Sequence, residues 1–160
     1  AEEKVQNTLF KLIEINGSKP VDYFHKRLGK IMWEYVGMAR NKEGLEYAIS
    51  EIKKIRNEFW NEVKIPGSLD EMNSELEKAG RVADFLELGE LFAKDALERT
   101  ESAGGHFREE SQTPEGEALR NDKDFAFTSA WEYVGEPSEA ILHKEELEFN
   151  DIELKQRSYK

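Results

Sequence analysis

Asp95-Ala-Leu-Glu-Arg-Thr-Glu-Ser-Ala-Gly-Gly-His-Phe-Arg-Glu-Glu110 is where this 160-residue chain changes character. Upstream, Leu69, Met72, Leu76, Ala79, Ala83, Leu86, Ala93 and Leu97 recur at steps of three and four, and Val82, Phe85 and Phe92 form a second stripe. That period predicts one long helix over 69–102, with neighbours on two sides. At ~1.5 Å per residue it is ~50 Å long, enough to overshoot a bundle of shorter helices. Gly104-Gly105 is read as its end, because glycine accepts the left-handed cap conformation. Glu101 and Ser102 then fall in the last turn, with His106 and Arg108 just beyond it. Downstream the helical period is gone: 110–124 is polar loop, and Phe125–Val134 alternates like a strand. The chain is thus helical before the glycines and extended after them.

Working upstream, two more helices carry complete apolar faces. Phe24, Leu28, Ile31, Tyr35 and Met38 mark one over 20–40, opened by Pro20 and broadened by Met32, Val36 and Ala39. Leu45, Ile49, Ile52, Phe59 and Val63 mark the next over 42–63, with Asn41 as N-cap and Glu43 in the first turn. Ser68 and Glu71 have capping-box spacing for the long helix. Glu77 with Arg81 and Glu90 with Lys94 are favourable pairs for its outer face. A leading helix over 2–16 shows Val5, Leu9, Leu12 and Ile13 on one side. Downstream, Gly135-Glu-Pro-Ser138 reads as a turn, and residues 140–149 as the antiparallel partner of the strand.

The expected fold is mainly α: an antiparallel three-helix, spectrin-repeat-like bundle with a short leading helix and a C-terminal β-hairpin and extended tail. It divides into a leading helix (1–18), a bundle (19–104), and a loop, hairpin and tail (105–160). An exposed apolar patch is expected near Phe125, Phe127 and Trp131.

Composition excludes several functions. The net charge is −11 and the pI about 4.9, which opposes autonomous nucleic-acid binding and docking on anionic lipid. There is no cysteine, hence no disulfide, thiolate metal site or cysteine nucleophile. No apolar run approaches the ~20 residues a bilayer span needs, and the charged start reads as a cut inside a larger protein rather than a leader. His25, His106 and His143 lack zinc spacing. Glu109-Glu110 and Glu145-Glu146 are adjacent on extended chain and point to opposite faces, so neither is an acid/base dyad. No G-x-G-x-x-G, Walker motif or nucleophile elbow is present. No catalytic, cofactor-binding or metal residue is therefore assigned, and the isolated chain is expected to bind no flavin. Glu101, Ser102, Gly104, Gly105, His106 and Arg108 remain as interdomain docking candidates, with the side chains of the Gly104–Arg108 turn expected to be exposed or loosely held.

The same stretch, Arg99-Thr-Glu-Ser-Ala-Gly-Gly-His-Phe-Arg108, resembles the R-x-E-S-R-G-x-H-x-R segment in the C-terminal helical domain of succinate dehydrogenase/fumarate reductase flavoprotein subunits. The likeness continues through Phe24–Met32, Arg40-Asn-Lys-Glu-Gly-Leu45 and Ile52–Arg56. It resumes in Glu117–Arg120, Ala130–Tyr133, Leu142–Glu146 and Gln156–Lys160. Ala103 stands where the family has arginine, so contacts of that arginine are not carried over. The resemblance implies an FAD-dependent parent oxidoreductase that interconverts succinate and fumarate. It implies FAD and capping domains on the same chain, an iron–sulfur partner subunit, and a membrane anchor reached indirectly. It places the complex in the cytoplasm, peripheral at the inner membrane. This chain would then be a structural and docking module. The alternatives are the C-terminal domain of an L-aspartate oxidase-like flavoprotein, similar through E-S-x-G-x-H, and a free-standing spectrin-like interaction module.

Overall fold

The computed structural model describes residues 1–135, 138–153 and 155. The chain runs α1 (Glu2–Glu14), β1 (Lys19–Pro20), α2 (Val21–Tyr35), β2 (Ala39–Arg40), α3 (Lys42–Glu62), β3 (Val63–Lys64) and α4 (Ser74–Glu98). It continues through β4 (Phe107–Arg108), the single turn α5 (Asp122–Phe125), β5 (Phe127–Glu132) and β6 (Ile141–Glu146). The mainly α expectation stands. Two short parallel pairs define the poles of the bundle. β1 pairs with β3, joining the start of α2 to the end of α3. β2 pairs with β4, bringing together the end of α2, the start of α3 and the segment after α4. Neighbouring helices therefore run antiparallel, and α2 and α4 run parallel.

The core is built from the stripes read in the sequence. Leu12, Phe24, Leu28, Ile52, Phe59, Val82 and Leu86 share one buried cluster, and Leu45, Ala48, Ala93 and Ala96 a second toward the far pole. The leading helix joins through Leu12, with Leu9 and Ile13 beside it. At Gly17 the chain crosses the end of α3 so closely that a Cβ there would lie 2.0 Å from the Glu62 carbonyl oxygen. Only glycine permits that approach.

Three helix ends differ from expectation. Asn41 caps α3 as anticipated, accepting from the Gly44 N–H at 2.8 Å. α4, however, starts at Ser74 with Asn73 as its cap, accepting from Leu76 N–H, not at Ser68. Gly67 turns the chain at φ +93, and the Asn73 amide donates to the Pro66 and Ser68 carbonyls. That arrangement holds 68–73 as a loop, with Leu69 and Met72 exposed. α2 ends at Tyr35 because Arg40 Nε takes the Val36 and Gly37 carbonyls. α4 ends at Glu98, so it is ~37 Å long and not ~50 Å.

The β5–β6 hairpin is antiparallel, with Trp131 opposite Leu142. Phe125, Phe127 and Trp131 are half-buried, not an exposed patch. The bare apolar surface lies instead between α2 and α4, where Phe85, Leu88 and Phe92 rise from α4 beside His25, Gly29 and Met32. Glu136 and Pro137 of the expected turn, and the tail Gln156–Lys160, lie outside the described residues.

Candidate functional site

The pole where α2 and α4 end and α3 begins concentrates unpaired backbone groups. Two helix C-termini leave free carbonyls and partial negative charge, and one N-terminus leaves free N–H groups. The chain after α4 folds back to satisfy all three. Arg108 is 3% exposed, and its Nη1 donates to the Ala96 and Leu97 carbonyls at 2.8 and 3.2 Å. A guanidinium on the last turn of α4 supplies both the missing donors and the favoured charge. Its Nε donates to Glu110 Oε2 at 3.1 Å, while Glu110 Oε1 accepts from Lys42 N–H, the first residue of α3. Burial works against the Glu110 charge, but the Lys42 N–H and the Arg108 guanidinium outweigh it and hold the carboxyl below its ordinary range. One arginine–carboxylate pair thus spans the negative end of α4 and the positive end of α3.

Glu101 and Ser102, expected in the last helical turn, lie past the helix and are buried; Arg108, expected exposed or loosely held, is buried with them. Ser102 Oγ accepts from Arg108 N–H at 2.8 Å and donates to the Arg108 carbonyl at 3.2 Å, holding the returning strand. Glu101 pairs with Arg99 at 2.8 Å and accepts from Asn121 N–H at 2.8 Å. Arg99 also donates to the Phe125 and Phe127 carbonyls and lies over the Phe127 ring at 4.9 Å. It ties the foot of the hairpin to the end of α4.

His106 is locked between two arginine residues. Its Nδ1 lies 2.8 Å from Arg40 Nη1, and its Nε2 lies 2.8 Å from the Arg99 carbonyl oxygen. A guanidinium can only donate and a carbonyl can only accept. The ring is therefore neutral, with its proton on Nε2. Burial is the largest cause lowering its pKa below 6.5; the Arg99 carbonyl opposes, and the charges of Arg40, Arg108 and Arg99 add to the lowering.

Gly104 and Gly105 do not cap the helix. They form the tip of a two-residue turn closed by paired backbone bonds between Ala103 and His106, at 2.9 and 3.0 Å. Gly104 takes φ +58, the left-handed conformation the tip requires. Both glycines are exposed, and a Cβ on either would meet nothing within 4 Å. The pole is thus a fully bonded frame that presents a bare backbone loop. Arg40, the residue that holds both His106 and the end of α2, did not stand out in the sequence. Its one signal was its place in the family-like Arg40–Leu45 segment.

His25 and His143 are exposed; His25 faces Phe85 and His143 Nε2 meets Glu132. A cleft of about 610 Å³ runs between the bundle and the hairpin connection. Lys11, Lys53, Arg56 and Lys94 face it together with Glu87, Glu90 and Glu139, and the three carboxylates are taken up in ion pairs with Lys53, Arg56 and Lys94. Among the described residues no group of three or more His, Cys, Asp or Glu converges to hold a metal ion. No described helix is long and apolar enough to cross a membrane.

The chain is 34% identical over 110 residues to an uncharacterised FAD-dependent oxidoreductase of Methanocaldococcus jannaschii, covering 69% of this chain and 19% of that protein. It is 31% identical over 103 residues to the fumarate reductase flavoprotein subunit of Helicobacter pylori, covering 64% of this chain and 14% of that one. The chain therefore spans less than a fifth of these curated relatives. Two solved structures share the fold. A quinol–fumarate reductase with menaquinol molecules aligns at TM-score 0.79 and 21% identity, over 94% of this chain and 25% of that chain. The Mycobacterium smegmatis Sdh1 complex aligns at TM-score 0.77 and 21% identity, over 95% and 25%. The family model for the fumarate reductase flavoprotein C-terminus matches residues 25–159, and the chain belongs to that family.

Proposed function

We propose that this chain is the C-terminal helical domain of an FAD-dependent flavoprotein subunit that interconverts succinate and fumarate, and that its own work is structural. The family match over residues 25–159 carries this reading, and the Helicobacter pylori relative points to the same chemistry. FAD is then held by an FAD domain elsewhere in the parent protein, with a capping domain over the dicarboxylate. The parent works with an iron–sulfur subunit and, indirectly, a membrane anchor, peripheral to the inner membrane on the cytoplasmic side.

The Gly104–Gly105 tip is the docking point onto the FAD domain. The supporting observation is the contrast within the pole. Glu101, Ser102, His106 and Arg108 spend their polar groups on the frame, while the glycine backbone is bare on the side away from the bundle. A neutral, doubly held His106 cannot shuttle protons while the frame is intact, so the pole positions rather than catalyses.

Arg108→Ala is a poor test, because it removes the cap of α4. Gly105→Tyr is better: φ at Gly105 is not in the left-handed region, and nothing lies within 4 Å of its Cβ. In the full-length flavoprotein, Gly105→Tyr should lower flavin content and succinate–fumarate turnover, while the isolated domain keeps its wild-type melting temperature. Unchanged flavin content and turnover would show the tip to be only a turn.

A further inference from the structure

The β5–β6 hairpin is held to the bundle in an unusual way. Its extensive packing is within itself, and neither buried core cluster includes a hairpin residue. At its foot Arg99 holds the hairpin through the Phe127 carbonyl and ring; farther out, toward the turn, what crosses the seam is polar. Glu139, just before β6, sits between Lys53 of α3, at 2.7 Å, and Lys94 of α4. Lys144 of β6 reaches Glu98 at 3.1 Å. The Trp131 indole N–H donates to Asp95 at 2.9 Å. Behind Glu139 lies the 610 Å³ cleft lined by Lys11, Arg56 and Trp60 from the bundle and Tyr133 from the hairpin.

The latch has a second acceptor built in beneath it. Glu90 is buried, yet its carboxylate lies 2.6 Å from Lys94, 2.6 Å from Arg56 and 3.6 Å from Lys53. When Glu139 leaves, both lysines keep an anion within reach. Glu139 is already 65% exposed and needs little extra hydration to go. The cost of opening is therefore low, since no buried charge is left without compensation.

We propose that the β5–β6 hairpin is a salt-releasable strap, hinged at its foot on Arg99 and latched by Glu139 onto Lys53 and Lys94, and that its turn end lifts off the bundle while the three helices stay folded. Ions weaken the latch because exposed pairs are screened, the screening length falling from about 10 Å at 0.1 M to about 3 Å at 1 M. The apolar core has no such sensitivity. The Lys53 hydrogen bond, then that of Lys94, hold the Glu139 carboxyl at about 2, so near neutral pH salt, not protons, is the lever.

The test is NMR on this chain. The Trp131 indole proton reports docking through its bond to Asp95, and the amides of Leu45, Ile52 and Leu86 report the bundle. Indole exchange should accelerate about tenfold between ~0.1 M and ~1 M NaCl, with the three amides unchanged. Glu139→Gln should exchange at the faster rate already at the lower salt and respond little to more. The strap is overturned if indole exchange ignores salt, if Glu139→Gln behaves as wild type, or if the bundle amides open in parallel.

Discussion

At the scale of the residue, this molecule puts arginine where helices end. Arg40 closes α2 and Arg108 closes α4, each from a two-residue strand that returns to the same pole. Arg40 also fixes the protonation of His106, and this has a pH consequence. The folded pKa of His106 is below 6.5, chiefly by burial, whereas an unfolded histidine titrates near 6.5. Above that value both states are neutral and the stabilisation is complete. Below it the unfolded chain takes up a proton that the frame refuses, so stability falls as pH drops from about 6.5 through the folded pKa. The slope is at most about 1.4 kcal/mol per pH unit. Urea unfolding from pH 7.5 to 5.5 should show this loss in the wild type, and a flatter profile in His106→Gln. Equal slopes would mean that His106 titrates freely. The nitrogen shifts of the ring should also report a neutral Nε2–H tautomer.

At the scale of the element, α4 departs from its own pattern in an instructive way. The helix carries two glycines that the apolar stripe ignores. Gly80 has open space around the position of a Cβ, whereas a Cβ on Gly89 would approach the Met32 sulfur at 3.2 Å and a Leu28 methyl at 3.3 Å. Helical glycine costs roughly 0.5–1 kcal/mol relative to alanine. Gly80→Ala should therefore stabilise by about that amount in thermal or urea unfolding. Gly89→Ala should gain less or lose stability, because the Met32 and Leu28 side chains must give by a few tenths of an ångström to admit the methyl. If both variants gain equally, α2 and α4 are less tightly apposed than described. Glu90, expected on the outer face with Lys94, does pair with it, but at 4% exposure among Arg56 and Lys53. Glu77 and Arg81 form the solvated pair anticipated, at 2.5 Å.

At the scale of the whole molecule, the acidic surface carries an apolar face between α2 and α4. Phe85, Leu88 and Phe92 are all more than two-fifths exposed beside Met32 and His25, and Trp33 on α2 is 85% exposed. Contiguous exposed apolar surface marks an interaction face or an association liability. Phe92→Ser should change unfolding free energy by about 1 kcal/mol, since Phe92 is 55% exposed. It should also lower self-association in sedimentation velocity at high protein concentration. A large loss of stability, or unchanged association, would show that the face is not exposed in solution.

Periodicity was enough to read four helices, much of their core stripes and the strand pair, and residue type the Asn41 cap; Val5, Met38, Leu69 and Met72 of those stripes are exposed. These readings rest on local spacing and on apolar burial that any packed partner satisfies. The family was legible too, in the Arg99–Arg108 segment and its flanking matches. What the sequence could not carry was where α2 and α4 stop. Helix propensity continues past Tyr35 and Glu98, but the carbonyls there are claimed by Arg40 and Arg108, whose strands are held at the pole by pairing with each other across the chain, and periodicity does not carry that competition. Arg108 reads as exposed and is buried, together with Glu101 and Ser102: polar residues go inside only when tertiary partners complete their hydrogen bonds. The two aromatic surfaces were exchanged on similar grounds. Arg99 draws Phe125 and Phe127 onto the pole, while Phe85 and Phe92 fall on the side of α4 that no described element covers. An apolar stripe specifies that a face is fit to be buried; only the packing of the other elements decides whether it is.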